Sequence, residues 1–216
     1  MNNTHDDFAT EPVPGLPERP PAGEDILWQG RPAVMALARD AFKVTWVASY
    51  FVALALWRVI VVADSAATVV AVALPYLAIG AVVCAILVAM AAVQARATVY
   101  TLTSSRVAMR IGAALTVTLN LPFRQIGTAS LALKSGGTGT IALETLGETR
   151  ISYLVCWPHV RPWHLARTQP ALRCIPDAAR VAKLLADAAE TRFNEPVVAR
   201  GQSGLTPAGM TLAAAQ

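Results

Sequence analysis

The fold class is decided by two apolar stretches, VTWVASYFVALALWRVIVVA at residues 44–63 and AATVVAVALPYLAIGAVVCAILVAMAAVQA at residues 66–95. An α-helix rises about 1.5 Å per residue, so about 20 apolar residues are enough to cross the hydrocarbon core of a bilayer. Only Asp64 and Ser65 separate the two stretches. The sequence therefore predicts a tight transmembrane helical hairpin, with a further domain attached to its second helix.

Composition and charge agree with a chain held at a membrane. The sequence is 55% hydrophobic and 15% charged, with a mean hydropathy of +0.46, whereas soluble domains carry about 25% charged residues. The net charge of +4 hides an asymmetry, because residues 1–43 hold seven acids and four bases while residues 96–216 hold thirteen bases and six acids. We therefore expect a basic domain of roughly 120 residues that is tethered at a membrane surface. Its bases either attract anionic lipid headgroups or follow from the positive-inside rule alone.

Basic residues mark one side of the hairpin and predict its orientation. They are Arg31, Arg39 and Lys43 before it, and Arg96, Arg106 and Arg110 after it. The connecting turn has no base, although Arg58 lies one to two helical turns before it. By the positive-inside rule, we expect a multi-pass protein of the bacterial inner membrane with both termini in the cytoplasm. The acidic, proline-rich beginning of the chain has no features of a cleavable signal.

Composition divides the chain into a flexible arm (1–25), a juxtamembrane segment (26–43), the hairpin (44–95), a cytoplasmic domain (96–193) and a flexible tail (194–216). Prolines exclude regular helix and sheet from the arm. The arm is either a solvated tail or a polyproline strip that docks on a partner through Pro12, Pro14 and Pro17.

A row of small residues recurs every four positions in the second apolar stretch: Ala81, Ala85 and Ala89. Small residues let helix backbones approach closely. The row most simply packs against the first helix of the same hairpin. A homodimer contact or a contact with a partner helix is the alternative use of the same residues.

After Arg96 the hydrophobic period changes to two, which is typical of half-buried strands. The alternation is clearest at residues 107–111, 115–121, 129–133, 141–143 and 151–155. The spacing of roughly ten residues predicts at least six strands in all. Residues 151–157 are interpreted as a buried strand, because seven residues ended by Pro158 are too few to cross a membrane.

The last predicted element is an amphipathic helix from Pro176 to Arg192, with an apolar stripe of Val181, Leu184, Leu185 and Ala188. At least six strands closed by one helix outline a pleckstrin-homology-like (PH-like) domain. The predicted fold class is an α+β membrane protein, with a two-helix transmembrane hairpin and an antiparallel β-barrel or sandwich capped by the C-terminal helix.

Patterns that would indicate catalysis or metal binding are absent from the sequence. His159 and His164 are separated by Pro162, so they cannot share a helical face, and a zinc site needs more ligands. The glycine-rich residues 135–139 lie between two strands and lack the Gly-Lys-Ser/Thr of a phosphate loop, which predicts a hairpin loop. The three cysteines form no CxxC pair, so no disulfide is expected. We expect no enzyme activity, metal, cofactor or nucleic-acid partner.

The segment WPHVRPWHLAR at residues 157–167 is the best candidate for a partner contact. Tryptophan and arginine dominate many binding interfaces, and prolines reduce the cost of ordering a loop. The candidate contacts are Trp157, His159, Arg161, Trp163, His164 and Arg167. The compatible alternative is a structural connector whose tryptophans cap the open end of the barrel.

Several short segments resemble the bacterial membrane-anchored PH-like domains. The similar segments are ILWQGRP at 26–32, YTLTSSRV at 100–107, RIG at 110–112 and LPFRQI at 121–126. The resemblance implies the fold and says little about function. It leaves open a second function, the sensing of anionic lipid headgroups through Arg106 and Arg110, which are four residues apart and would share one face of a regular strand. The adjoining residues 113–114 carry no base.

Residues 6–192 as a whole resemble the PuhB family of photosynthetic complex assembly proteins of purple bacteria. The resemblance is carried by EPVPGLPERPP at 11–21, the hairpin, residues 153–170 and PDAARVA at 176–182. It implies a non-enzymatic assembly factor of the inner (intracytoplasmic) membrane. Such a factor would transiently bind polypeptides of the photosynthetic reaction centre or its core light-harvesting antenna. A transporter or channel is disfavoured, because Arg58 is the only ionisable side chain inside the apolar stretches apart from tyrosine and cysteine.

Overall fold

The computed structural model describes residues 13–113, 115–134, 136–147 and 151–194. In chain order its elements are β1 (Ile26–Gly30), α1 (Val34–Asp40), α2 (Val44–Val62), α3 (Ala66–Ala97), β2 (Val99–Thr103), β3 (Arg106–Ile111), β4 (Val117–Pro122), β5 (Ile126–Leu133), β6 (Thr138–Thr145), α4 (Tyr153–Cys156), β7 (Ala171–Pro176) and α5 (Ala178–Asn194). Two long apolar helices and antiparallel sheets confirm the predicted α+β class.

The strands form two sheets, with the orders β1-β2-β3-β4 and β5-β6-β7. Within the part of the chain that the structure describes, no strand pairing joins the two sheets. Of the two predicted alternatives, barrel or sandwich, the closed barrel is therefore wrong. Both sheets and α5 share one apolar core, to which Leu102, Val107, Leu143, Ile175 and Leu185 contribute. The burial of these side chains joins the two sheets and α5 into one unit, at about 25 cal/mol per Å² of apolar surface.

The helical hairpin has nearly the predicted bounds. Ser65 caps α3 by accepting a hydrogen bond from the backbone N–H of Thr68, and the Thr68 hydroxyl donates to Asp64 Oδ1 at 2.7 Å. The Ser65 bond satisfies a backbone N–H that has no partner within the first turn of α3, and so stabilises the start of that helix. By length and composition both α2 and α3 could cross a membrane. Only 6% of the most apolar 18-residue segment of α2, and 11% of that of α3, is buried within the fold.

The contact between α2 and α3 uses a different face of α3 from the predicted one. Gly80 is buried, and a Cβ atom at this position would lie 2.7 Å from Phe51 Cβ on α2. Ala81, Ala85 and Ala89 are exposed. The prediction that the alanine row packs against the first helix is therefore wrong, because successive helical residues point about 100° apart and the close approach is made at Gly80.

Two elements before the hairpin belong to the domain that follows it. β1 pairs antiparallel with β2, placing Gly30 opposite Tyr100. Helix α1 buries Leu37 and Ala38 in a second apolar cluster with Ala91 of α3. The segment predicted as juxtamembrane therefore completes the first sheet and also packs against the C-terminal third of α3.

The chain after β6 differs from the predicted strand. Residues 153–156 form the single turn α4, and the third strand of the second sheet is β7, which the hydrophobic pattern did not indicate. The C-terminal helix and its apolar stripe are confirmed. However, Pro176 ends β7 instead of beginning α5, and Asp177 makes the turn with φ of 50°. The glycine-rich residues connect β5 to β6, and Lys134 N–H donates to Thr138 O at 2.8 Å, as expected for a hairpin.

We expect Gly80→Leu to destabilise the hairpin, because the larger side chain would separate α3 from Phe51. Overpacking of a close contact costs about 1–3 kcal/mol. Ala81→Leu is the matched control, since Ala81 is exposed on the next position of the same helix. Thermal unfolding of both variants in detergent measures the effect, and equal stabilities would contradict the assigned contact.

Candidate functional site

The junction between the helices and the domain contains a partly buried ion pair, in which Arg173 is the buried member. Asp40, at the end of α1, accepts hydrogen bonds from Arg173 Nη2 at 2.5 Å and from Lys134 Nζ at 2.6 Å. Burial alone would raise the pKa of Asp40, but hydrogen bonds and charges from Lys134 and Arg173 outweigh it and hold the pKa below its usual value. The Arg173 side chain is buried in β7 and also donates to Pro158 O at 3.0 Å.

A chain of hydrogen bonds runs from this ion pair to the end of α3. Thr98 Oγ1 donates to Gln94 O at 2.7 Å, so it accepts the bond from His159 Nε2 at 3.0 Å. His159 Nδ1 then carries no proton and accepts from the Tyr100 hydroxyl at 2.6 Å. The Tyr100 oxygen in turn accepts from the backbone N–H of Arg173 at 3.3 Å. The bonds fix the neutral tautomer of His159 with its proton on Nε2.

The burial of this chain prevents its side chains from contacting a partner. His159 is fully buried, so its predicted role as a partner contact is wrong. Burial, followed by the charge of Arg173, lowers the pKa of His159 from 6.5 to about 3. Burial raises the pKa of Tyr100. Both groups are therefore neutral at physiological pH, and their hydrogen bonds link α3, β2 and β7.

The connector between α4 and β7 presents a different set of side chains to solvent. Trp163 is 91% exposed and has φ of 65°, which is rare for a bulky side chain. Arg161 Nη1 donates to Gln169 Oε1 at 3.0 Å, and a backbone bond between the same residues closes the base of the loop. His164 Nδ1 lies 2.8 Å from Pro162 O. The connector is therefore a closed loop with Trp163 at its surface, and Arg167, four residues later in the sequence, is also exposed.

Trp157 lies at the other end of the connector. Its ring contacts Phe42 edge-to-face, with centroids 5.2 Å apart and an interplanar angle of 69°. Phe42 lies two residues before α2 begins. The alternative prediction that the tryptophans cap the barrel is wrong, because Trp157 packs toward the helices and Trp163 is exposed.

The described part of the proline-rich arm is packed against the first sheet. Leu16 is buried, and a Cβ atom at Gly15 would lie 2.6 Å from Val99 Cγ1. Gln29 Nε2 donates to Pro14 O at 2.6 Å, while the rings of Pro14 and Pro17 are exposed. Pro12 lies outside the described residues. Pro14 and Pro17 are thus exposed on a part of the arm whose backbone is bound to the first sheet.

The two candidate lipid contacts have different environments. Arg110 is 2% exposed, so its predicted contact with a headgroup is wrong. Arg106 is partly exposed, and its Nε donates to Glu24 Oε1 at 2.7 Å. β3 is buried on both faces from Val107 to Ile111, so the strand face that Arg106 and Arg110 were predicted to share is closed at Arg110.

The sequence analysis missed the residues that form the junction. One signal was present: Arg173 interrupts the apolar run Ala171–Ile175, and a charge inside a buried strand requires a partner. Nothing local to Asp40 or Thr98 indicated that they would meet β7 and the connector. Exposed Leu154 and Val155 were also missed, because they were assigned to a buried strand.

The described residues contain no cluster of three or more His, Cys, Asp or Glu that could hold a metal ion. A shallow apolar groove between β5 and α5 is lined by Phe123, Ile126, Leu131, Leu185 and Phe193, among others. Its lining has no ionisable side chain.

Comparison with known proteins identifies the family. The family described as "Bacterial PH domain" matches residues 42–189, which is more than half of the chain. The chain belongs to the bacterial PH domain family. It is also 47% identical over 203 residues to an "Uncharacterized 23.7 kDa protein in puhA 5'region" of Rhodobacter capsulatus, covering 92% of this chain and 95% of that protein. No solved structure matches.

The family match begins at Phe42, after β1 and α1. This bacterial PH domain is nevertheless completed by both elements, since β1 is an edge strand of the first sheet and α1 supplies Asp40. The junction is therefore built partly from residues that precede the matched region.

We expect the stability of the protein to fall as the pH decreases from about 6.5 toward 3. His159 has its ordinary pKa when unfolded and a pKa of about 3 when folded, so the unfolded state binds the extra proton in this window. The free energy of unfolding should decrease by about 1.4 kcal/mol between pH 7.5 and pH 5.5. Urea denaturation in detergent measures it. His159→Asn should lose this dependence and His164→Asn should keep it; a flat wild-type profile would contradict the burial of a neutral imidazole.

We expect Asp40→Asn to lower the free energy of unfolding by about 2 kcal/mol, because it leaves the buried Arg173 charge without its counter-charge. Adding Arg173→Met should recover part of the loss, since the unpaired charge is then removed. Asp64→Asn at the exposed hairpin turn is the control. Denaturation at pH 7.5 measures the wild type, both single variants, the double variant and the control. Losses of Asp40→Asn and Arg173→Met that simply add in the double variant would show that the two residues are not coupled.

Proposed function

We propose that this bacterial PH domain protein is a non-enzymatic assembly factor of the PuhB family in a phototrophic bacterium. In this proposal it transiently binds polypeptides of the photosynthetic reaction centre or its core light-harvesting antenna. The observation that carries the proposal is 47% identity along nearly the whole chain to a protein whose printed name places it in the puhA 5' region. The earlier resemblance of residues 6–192 to the PuhB family supports it.

The proposed location is the inner, intracytoplasmic membrane, crossed by α2 and α3. Large apolar side chains such as Trp46, Trp57 and Ile60 are exposed on α2. A soluble helix would bury such residues, whereas lipid covers them without cost. The exposed bases Arg39, Lys43 and Arg96 lie at the domain side of the hairpin and Asp64 lies at its turn. This distribution supports a domain and both termini in the cytoplasm.

The proposed partner contact in the cytoplasm is the connector. Trp163 combines almost full exposure with a strained backbone, and such strain is often kept at functional positions. Arg161 and Arg167 provide charges on the same loop. An aromatic anchor flanked by arginines is typical of residues that dominate binding energy. The exposed Pro14 and Pro17 are a second candidate surface.

The proposed contact within the membrane is the alanine row of α3. Ala81, Ala85 and Ala89 are exposed and free of α2, so a partner helix or a second copy of this chain could approach closely there. Sensing of a specific lipid headgroup is the weaker alternative. Arg110 is buried and Arg106 is paired with Glu24, so neither provides an open cationic site.

The direct test is a tagged pull-down from native membranes in mild detergent, with proteins identified by mass spectrometry and pigments by absorbance. We expect reaction-centre or antenna polypeptides to be recovered with the tagged protein. Recovery of the tagged protein with anionic lipid alone would contradict the proposal and favour a lipid-binding role.

We expect Trp163→Ala to reduce the recovered partner at least about tenfold, because truncation of an aromatic anchor typically costs more than 1.4 kcal/mol of binding energy. Arg161→Ala should have a smaller effect. Leu133→Ala is the matched control, since Leu133 is an exposed apolar residue at the end of β5. Unchanged recovery with Trp163→Ala, in a protein of wild-type stability, would remove the connector from the interface.

A further inference from the structure

We propose that the outer face of α4, made of Leu154, Val155 and the exposed edge of Trp157, inserts into the lipid interface and fixes the PH domain against the bilayer. This inference rests on the proposed insertion of α2 and α3 into a membrane. It adds a third membrane contact, from a segment that is neither long enough nor apolar enough to span a bilayer.

The two faces of α4 have opposite environments. Tyr153 and Cys156 are three residues apart and pack on the domain core. Leu154 and Val155 lie between them in sequence, about 100° and 200° around the helix axis from Tyr153, so their side chains point away from that core. Trp157 follows the turn as its C-cap. Leu154 is 84% exposed, Val155 is 55% exposed and Trp157 is 38% exposed. The outer face is therefore a small apolar patch that the described residues leave uncovered.

This patch adjoins the place where the chain begins its membrane helix. Trp157 is in edge-to-face contact with Phe42, and Val44 begins α2 two residues later. The Val44 carbonyl lies 4.0 Å from Cys84 Sγ, which places the start of α2 beside the middle of α3. Thr98 lies about 21 Å further along, at 1.5 Å per helical residue. His159 contacts Thr98, at the domain end of α3, whereas Trp157 contacts Phe42, next to the start of α2. Trp157 is therefore closer to the membrane than His159 is.

The surroundings of the patch match the chemistry of an anionic lipid surface. Arg39 and Lys43 flank Phe42 in sequence, and both are exposed. Tryptophan is enriched at the level of lipid headgroups, because its ring is apolar and its indole N–H can still be hydrated. Leucine and valine gain from transfer out of water at the same depth. Lipid is therefore the occupant that explains both the apolar side chains and the neighbouring bases.

The opposite end of the domain provides an internal reference. β2 begins at Val99, directly after α3, and ends at Thr103, about 13 Å further from the helices. β1 places Ile26 opposite Thr103, and the next residue, Leu27, is partly exposed. A reporter at Leu27 should therefore remain in water whatever the depth of α4.

The experiment uses the full-length protein in vesicles of phosphatidylcholine and phosphatidylglycerol with brominated acyl chains, which quench nearby tryptophan. Each variant keeps one tryptophan, and the other tryptophans are replaced by phenylalanine. The reporters are native Trp46 on α2, Leu154→Trp on α4 and Leu27→Trp at the far end of the domain. Val155→Trp is a second reporter on α4, and thermal unfolding verifies that each variant is folded.

We expect the reporter at 154 to lose as much emission as Trp46, and the reporter at 27 to lose none. Quenching of Trp46 without quenching at 154 or 155 would overturn this inference and leave the membrane hairpin intact. Absence of quenching at Trp46 itself would overturn the membrane location on which the proposed function depends, and the inference with it. The two failures are thus distinguishable in one set of samples.

Discussion

The buried guanidinium of Arg173 is the constraint on which the arrangement of helices and domain depends. A charge removed from water is tolerated only when it is paired and hydrogen-bonded. Its partners come from separate parts of the chain, because Asp40 precedes the hairpin and Pro158 belongs to the connector. The pairing therefore forces α1, the connector and β7 to meet at one place. A movement of α1 or of the connector away from β7 would leave that charge without a partner.

The hydrogen-bond chain through His159 extends this constraint to α3. It links Gln94 and Thr98 at the end of the helix to Tyr100 in β2 and to the backbone of β7. Each member uses its donor once, so the chain has a single direction and a single histidine tautomer. Loosely associated domains do not normally bury a polar network of this kind, since a partly satisfied network costs more than an apolar contact. The hairpin and the PH domain are accordingly one mechanical unit.

The parts of this architecture that sequence could predict are those encoded by local periodicity. The hairpin follows from the length of two apolar stretches, and α5 follows from the 3.6-residue spacing of Val181, Leu185 and Ala188. β1 and β7 could not be predicted from local periodicity. Their assignment depends on pairing with Tyr100 and Ile141, which are distant in sequence. Similarly, His159 and His164 look alike in the sequence, and only the meeting of Thr98 and Tyr100 buries the first and leaves the second near the surface.

Rigidity at the junction explains how an exposed, strained tryptophan can persist in the connector. A positive φ costs a bulky residue on the order of 1–2 kcal/mol, and Trp163 buries almost none of its ring in return. The compensation must come from the ends of the loop, where Arg161 binds Gln169 and His159 and Pro158 are held by the buried network. A partner would then meet a loop that is already ordered, which lowers the entropic cost of binding. One ordered aromatic side chain with two arginines is nevertheless a small surface. Small interfaces are typical of transient complexes, so the geometry suits a factor that must release what it binds.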